Sequence, residues 1–176
     1  MLDEKSQAEV NVVSRSTRII VFSLCAGIVA FGAFVLFVYG TRDDATAGLI
    51  TYMSLVVAGV QAIVCVIVPR MIVVGHRQQI AAGTWKAQAN ALDATDTDAG
   101  KLAVVYRTTT IIGCALLEMA AFLALITYLM EGHVATLIAA LLMLIGVALH
   151  VPLGDRVTVW VENQLQIIED DRRFLR

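Results

Sequence analysis

Two polar side chains stand alone in otherwise apolar surroundings, and they carry most of the chemistry this chain offers. Glu118 lies in the middle of RTTTIIGCALLEMAAFLALITYLM, residues 107–130, and Gln61 lies inside a second apolar run, residues 47–68. At about 1.5 Å per residue, Glu118 sits roughly 16 Å from Arg107 and roughly 18 Å from Met130, near the centre of a hydrocarbon layer about 30 Å thick. A carboxylate there costs about 2.5 to 3.5 kcal/mol, so a neutral acid that hydrogen-bonds a neighbour, or that binds and releases a proton, is the chemistry expected of it. Gln61 is nine residues from Arg70 and Glu118 eleven from Arg107, which puts the two groups at similar depth. If their helices pack antiparallel in one register, Gln61 opposes Glu118, Cys65 opposes Cys114 and Ala58 opposes Ala121. An amide can pair with a neutral carboxyl, so we expect Gln61 and Glu118 to form a proton-binding pair. The alternative is that each finds a backbone carbonyl or a small polar neighbour of its own.

The elements that must hold these groups are apolar helices. Hydrophobic residues make up 59% of the 176 and charged residues 16%, whereas a soluble domain has about 25% charged. Four apolar runs appear, at 19–39, 47–68, 108–130 and 134–151. The first three exceed 20 residues and the fourth, with 18, is the shortest credible span. A short link around Arg42, Asp43 and Asp44 joins the first two, Glu131 to His133 join the last two, and residues 69–107 separate the pairs. The expected fold is all-α: a four-span transmembrane helical bundle of two antiparallel hairpins, residues 19–151, with a cytoplasmic C-terminal amphipathic helix. The first run is too long for a signal peptide and is read as a retained span.

Orientation follows from positive charge. Residues 1–18, the loop 69–107 and the tail 152–176 hold 12 of the 13 Lys and Arg, and only Arg42 lies on the other side. The N-terminus and C-terminus are therefore expected in the cytoplasm, with the protein in the inner (cytoplasmic) membrane. Tyr39, Tyr52 and Tyr128 then fall near the outer interface, and Trp85, Tyr106 and Trp160 near the inner one. Pro69 is expected to kink the second helix or bring it to the interface, with MIVV prolonging it. The alanine-rich QQIAAGTWKAQANALD has helical composition, and Thr97 or Asp98 caps the third helix. In the tail, Val157, Trp160, Val161, Leu165 and Ile168 recur at helical spacing from near Asp155. The opposite face holds Glu162, Glu169, Asp170 and Asp171, which anionic lipid repels, so docking on the loop or a partner chain is favoured over lying on the membrane.

On the third run, Ile112, Leu116, Met119, Leu123, Ile126 and Met130 form a side that should face lipid. Thr110, Gly113, Cys114, Ala120, Ala121, Ala124 and Thr127 form an arc of small residues that lets helices approach closely. Comparable stripes are Ser23, Ala26, Ala30 and Ala33 on the first run, Ala47, Ser54, Ala58, Gln61 and Cys65 on the second, and Thr136, Ala139, Gly146 and His150 on the fourth.

Other chemistry is sparse. Cys25, Cys65 and Cys114 fall one to a span and read as small buried hydrophobes. His76, His133 and His150 read as interfacial residues, since His133 belongs on the outer side and the others on the inner. Asp93, Asp96 and Asp98 make a poor calcium loop, because Arg107 stands where a bidentate Glu is needed. With no phosphate loop, nucleophile elbow, paired carboxylates or zinc motif, no catalytic residue, metal or cofactor is expected and the chain is not read as an enzyme. A net charge of −2 with no basic run argues against a nucleic-acid partner. The partners expected are the lipid bilayer and a second copy or another membrane protein, met through the loop 69–107 and the tail 152–176.

The run Arg107-Thr-Thr-Thr-Ile-Ile-Gly113-Cys-Ala-Leu-Leu-Glu118, within residues 107–130, resembles the second helix of the c subunit, the rotor proteolipid, of F-type ATP synthases. That family has Arg-Thr near the cytoplasmic end, a Gly, then Ala-Leu-x-Glu with the ion-carrying carboxylate. The resemblance implies that Glu118 carries a proton, with Gln61 where sodium-binding relatives have a first-helix glutamine. Met119 stands where those relatives have Ser or Thr, which favours a proton over sodium. The chain differs in lacking the repeated glycines of the partner helix and the short Arg-Gln-Pro loop, and in having two further spans. The expected function is an interaction or organising role in the membrane; a proteolipid-like proton-binding or proton-translocating subunit is the alternative.

Overall fold

A computed structural model describes residues 2–40, 46–85 and 97–174. The link at Arg42, Asp43 and Asp44, the loop residues 86–96 with Asp93, and the Tyr39 side chain lie outside the described residues. Among these described residues five helices follow in order: α1 Glu4–Tyr39, α2 Leu49–Ala81, α3 Asp98–Glu131, α4 Val134–Leu149 and α5 Arg156–Phe174. The protein is all-helical among the described residues. α1, α2 and α3 are long and apolar enough to cross a membrane, whereas α4 is a shorter apolar helix of 16 residues.

The long helices outrun their apolar stretches. α3 has 34 residues, about 51 Å of helix against a hydrocarbon layer of about 30 Å, so its two ends belong to a polar setting. α1 begins at Glu4, well before the apolar run at 19, and α2 continues through Pro69 to Ala81. Pro69 removes its N–H from the ladder and its ring crowds the Cys65 carbonyl, yet the apolar MIVV that follows continues the helix to Ala81.

The chain divides into two compact units, residues 20–67 with 111–151, and residues 1–19 with 68–110 and 152–176. The first, hereafter the apolar unit, contains almost all of the four apolar runs. Its core joins Val21, Ile28 and Val35, spaced by seven on α1, to Cys65 of α2, to Cys114, Leu117, Ala121, Ala124 and Tyr128 of α3, and to Ala139, Ala140 and Val147 of α4. The small arc foreseen on α3 is buried throughout, from Thr110 to Thr127, while Met119, Leu123, Ile126 and Met130 are exposed and Ile112 and Leu116 half-buried. Ser54, Ala58 and Cys65 of α2 are buried, as are Thr136 and Ala139 of α4. The stripe expected on the first run is corrected: Ser23, Ala26, Ala30 and Ala33 are all exposed, and α1 instead packs through Val21, Ile28 and Val35 with Leu24, Cys25 and Phe31 beside them. A row of small residues marks where helices can approach, but the neighbours here meet the β-branched row.

The second unit, the polar-end unit, has a core of a different kind. Val10 and Val13 of α1, Ile80 of α2, Leu102 and Val105 of α3, and Val157, Val161 and Ile168 of α5 pack together. α5 thus turns the predicted apolar residues inward, with Trp160 and Leu165 half-buried, and leaves Glu169 and Asp170 exposed. It is tied to the end of α2 and the start of α3. Arg172 donates to the Ile80 carbonyl at 3.1 Å and the Ala81 carbonyl at 3.3 Å, the last acceptors of α2, and to Asp98 Oδ2 at 2.9 Å. A cation at a helix C-terminus satisfies orphan carbonyls and complements the helix dipole. Thr97 caps α3, as its position foretells: its hydroxyl accepts from the Gly100 N–H at 3.0 Å and donates to Glu9 Oε2 at 2.7 Å.

Candidate functional site

Glu118 is half-buried on α3, between the buried Cys114 and Leu117 on one side and the exposed Met119 on the other. Its carboxyl lies against α1: a β-carbon added at Gly27 would stand 3.5 Å from Glu118 Oε1 and 3.9 Å from the Phe122 ring. Both distances are ordinary van der Waals contact, so the acid packs beside α1 at Gly27 with room left for a methyl group. Cys25 and Cys114 both lie within electrostatic range of this carboxyl. Gln61 is half-buried on the α2 face that also buries Ser54, Ala58 and Cys65. Next to Gln61 on that face, Cys65 Sγ lies 3.6 Å from the Gly113 carbonyl. This contact falls one residue from the Cys65 to Cys114 pairing that the antiparallel register predicts. Among the described residues neither the Gln61 amide nor the Glu118 carboxyl makes a side-chain hydrogen bond.

His150 and Cys65 form a contact that sequence reasoning missed. His150 Nδ1 lies 2.8 Å from the Gly146 carbonyl, which can only accept, so in the neutral ring Nδ1 carries the proton and Nε2 faces Cys65 Sγ at 4.0 Å. His150 is thus a half-buried residue at the C-terminal end of α4, packed against Cys65 of α2. His133 caps α4, accepting from the Ala135 N–H at 3.2 Å. Among the described residues, no group of three or more His, Cys, Asp or Glu is placed to hold a metal ion.

A carboxylate with three backbone N–H partners belongs to a residue that the sequence presents only as part of a linker. Glu131, one residue past the third apolar run, accepts from the N–H groups of Gly48 at 3.1 Å, Ile50 at 3.0 Å and Thr51 at 2.8 Å. These are orphan donors at the start of α2, and a carboxylate there also meets the positive end of the helix dipole. The Thr51 hydroxyl, beside the carboxylate but outside hydrogen-bonding geometry, and then the N–H groups of Thr51, Ile50 and Gly48 hold the carboxyl below its ordinary 4.5 against the opposing effect of desolvation. One turn earlier, Tyr128 Oη donates to the Gly40 carbonyl at 2.9 Å, so the last turn of α3 holds the end of α1 and the start of α2 together. Gly132, at φ +73°, then lets the chain reverse into α4 within two residues. The readable signals were an acid directly after a span and a glycine at 48, where any side chain would overlap the carboxylate.

Together these features define a helical protein with several candidate membrane spans, an unpaired acid inside one of them, and a separate folded unit built from the polar ends. No protein-family model matches the chain, and comparison with curated proteins and with solved structures likewise gives no match.

Proposed function

We propose that this chain is a four-span integral protein of the inner (cytoplasmic) membrane that works by interaction, organising a partner or further copies of itself, and not by catalysis. The observation that carries the reading is the core of the polar-end unit. Residues before the first run, between the second and third, and after the fourth pack on one another, which supports putting all three segments on one side of the membrane. If α3 carries the chain across, something must bring it back, and only α4 is available. Its 16 residues give about 24 Å of helix, which local thinning of the bilayer accommodates. Twelve of thirteen basic side chains fall in these same segments, which favours the cytoplasmic side for both termini. The amphipathic α5 then serves this unit, and its exposed Asn163, Gln166, Glu169 and Asp170 offer a polar contact surface.

A photo-crosslinking residue placed in native membranes tests this. At Asn163 or Glu169 it should give one discrete adduct that vanishes when the core is broken by Leu102→Ala. Adducts spread evenly over many proteins, or unchanged in that variant, contradict an organising surface.

The unpaired Glu118 supports a second reading, a proton-binding subunit, in line with the resemblance to the rotor proteolipid. A hydrophobic carbodiimide that modifies Glu118 selectively, and less as pH rises, favours it; failure to label leaves the organising role.

A further inference from the structure

Where the helices leave their apolar runs, the polar-end unit contains a cavity of about 460 Å³, within the about 300 to 1,000 Å³ usual for small-molecule sites. Three helices build it. α2 contributes Arg70 and Arg77, seven residues apart on one face, above an apolar wall of Pro69, Val73 and Val74; α3 contributes Tyr106 and Thr109; α5 contributes Trp160 and Gln164. The lining holds two guanidinium groups and no carboxylate. Asp171 is the acid closest to hand, with Oδ2 3.5 Å from Arg77 Nε, yet that N–H is buried without a hydrogen-bond partner. Gln164 Oε1 is buried and likewise unpartnered. Tyr106 and Trp160 close the wall with ring centroids 5.2 Å apart.

These groups ask for complementary chemistry. Arg70 and Arg77 ask for a phosphate, the anion a guanidinium fork recognises best. The Gln164 carbonyl oxygen can only accept, so it asks for a hydroxyl donor beside that phosphate. The apolar wall and the paired aromatic rings suit the glycerol backbone and first methylenes of a lipid at the membrane interface. The geometry points to a binding site for a phospholipid whose headgroup carries both phosphate and free hydroxyls, as phosphatidylglycerol does. Basic cavities on the cytoplasmic side of membrane helices take anionic headgroups in this way. The assignment rests on the membrane-spanning reading given above.

The test uses the full chain in neutral detergent with Trp85→Phe, so that Trp160 is the reporting indole. Its fluorescence is titrated with phosphatidylglycerol brominated near the headgroup, and separately with identically brominated phosphatidylcholine. Phosphatidylglycerol should quench saturably at a lipid fraction at least ten-fold lower than phosphatidylcholine. Arg70→Gln, at an exposed position, should raise that midpoint about ten-fold and Arg70→Lys by less; identically brominated phosphatidic acid, which has the phosphate but no headgroup hydroxyl, should need a higher lipid fraction than phosphatidylglycerol, a difference that Gln164→Leu should erase. Equal quenching by the two lipids, or an unchanged midpoint in Arg70→Gln, overturns the site. Displacement of the lipid by millimolar inorganic phosphate overturns the lipid as occupant and makes this a soluble-anion site. Alkaline carbonate extraction of membranes separates the two ideas: a chain that stays in the membrane but shows no lipid preference refutes this site alone.

Discussion

The two compact units both bury valines and leucines, but they differ in what else they bury and in what they leave outside. In the apolar unit the centre is rich in Ala121, Ala124, Ala139, Ala140 and the hydroxyl residues Thr51, Ser54, Thr127 and Thr136, while Phe22, Phe37, Met53, Ile63, Met119 and Leu142 point outward. In the polar-end unit, valines, leucine and isoleucine are inside and the charges are at the surface. The difference teaches which solvent each unit is built for. Water drives large apolar side chains inward, whereas lipid exerts no such force, so helices there associate through close backbone approach and leave large side chains outside. α3 serves both, and half of its most apolar window is buried, against 17% in α1 and 11% in α2.

Substitutions should therefore act by different rules in the two units. The largest effect is expected from Leu102→Ala, at a fully buried position of the polar-end unit, which should cost about 3 kcal/mol by leaving a cavity. Limited proteolysis should then cut α5 many times faster while the apolar unit stays protected. In the apolar unit the damaging change is the reverse one. Ala121→Leu, at a site with 0% exposure, should cost about 2 kcal/mol by overpacking, read as a lower midpoint in detergent denaturation. Thr97→Ala should cost about 1 kcal/mol through loss of the α3 cap, seen as faster amide exchange in its first turn. Acid should act more mildly and in a defined window. Burial pushes Asp98 up, but the hydrogen bonds and charges of Lys101 and Arg172 outweigh it and hold the carboxyl below its ordinary 3.8. A lowered value in the folded state means that its stabilisation is complete above 3.8 and is lost as pH falls through the lower folded value. Glu131 behaves alike below 4.5. Melting temperature should thus be insensitive to these two groups near neutrality and fall in strong acid, less so in Asp98→Asn. The smallest effect, within about 0.5 kcal/mol, is expected for Met119→Ala, because that side chain is 63% exposed.

Much of this was legible in the sequence because it depends on local pattern. The apolar runs, the inward row of α5, the Thr97 cap and the small arc of α3 all follow from helical periodicity and capping chemistry. What escaped depends on which helices become neighbours. Glu131 meets the start of α2 across 83 residues of sequence at Gly48, and Arg172 reaches the end of α2 across 92 at Ile80. The exposed row of α1 shows the same limit: Ser23, Ala26, Ala30 and Ala33 have the right spacing for packing, but spacing does not choose the neighbour. For Glu118, the approach to Gly27 of α1 could not be read from its own helix.

The account rests on the three polar segments sharing one side of the membrane, and that is directly measurable. Short epitope tags are placed before residue 2, at the exposed Gly83 turn and after residue 176, and antibody access is compared in spheroplasts and in inverted vesicles. We predict that all three tags are reached in inverted vesicles and none in intact spheroplasts. A C-terminal tag reached from outside, with the other two inside, would mean that α4 does not return the chain, and would contradict both the four-span topology and the shared core of the polar ends.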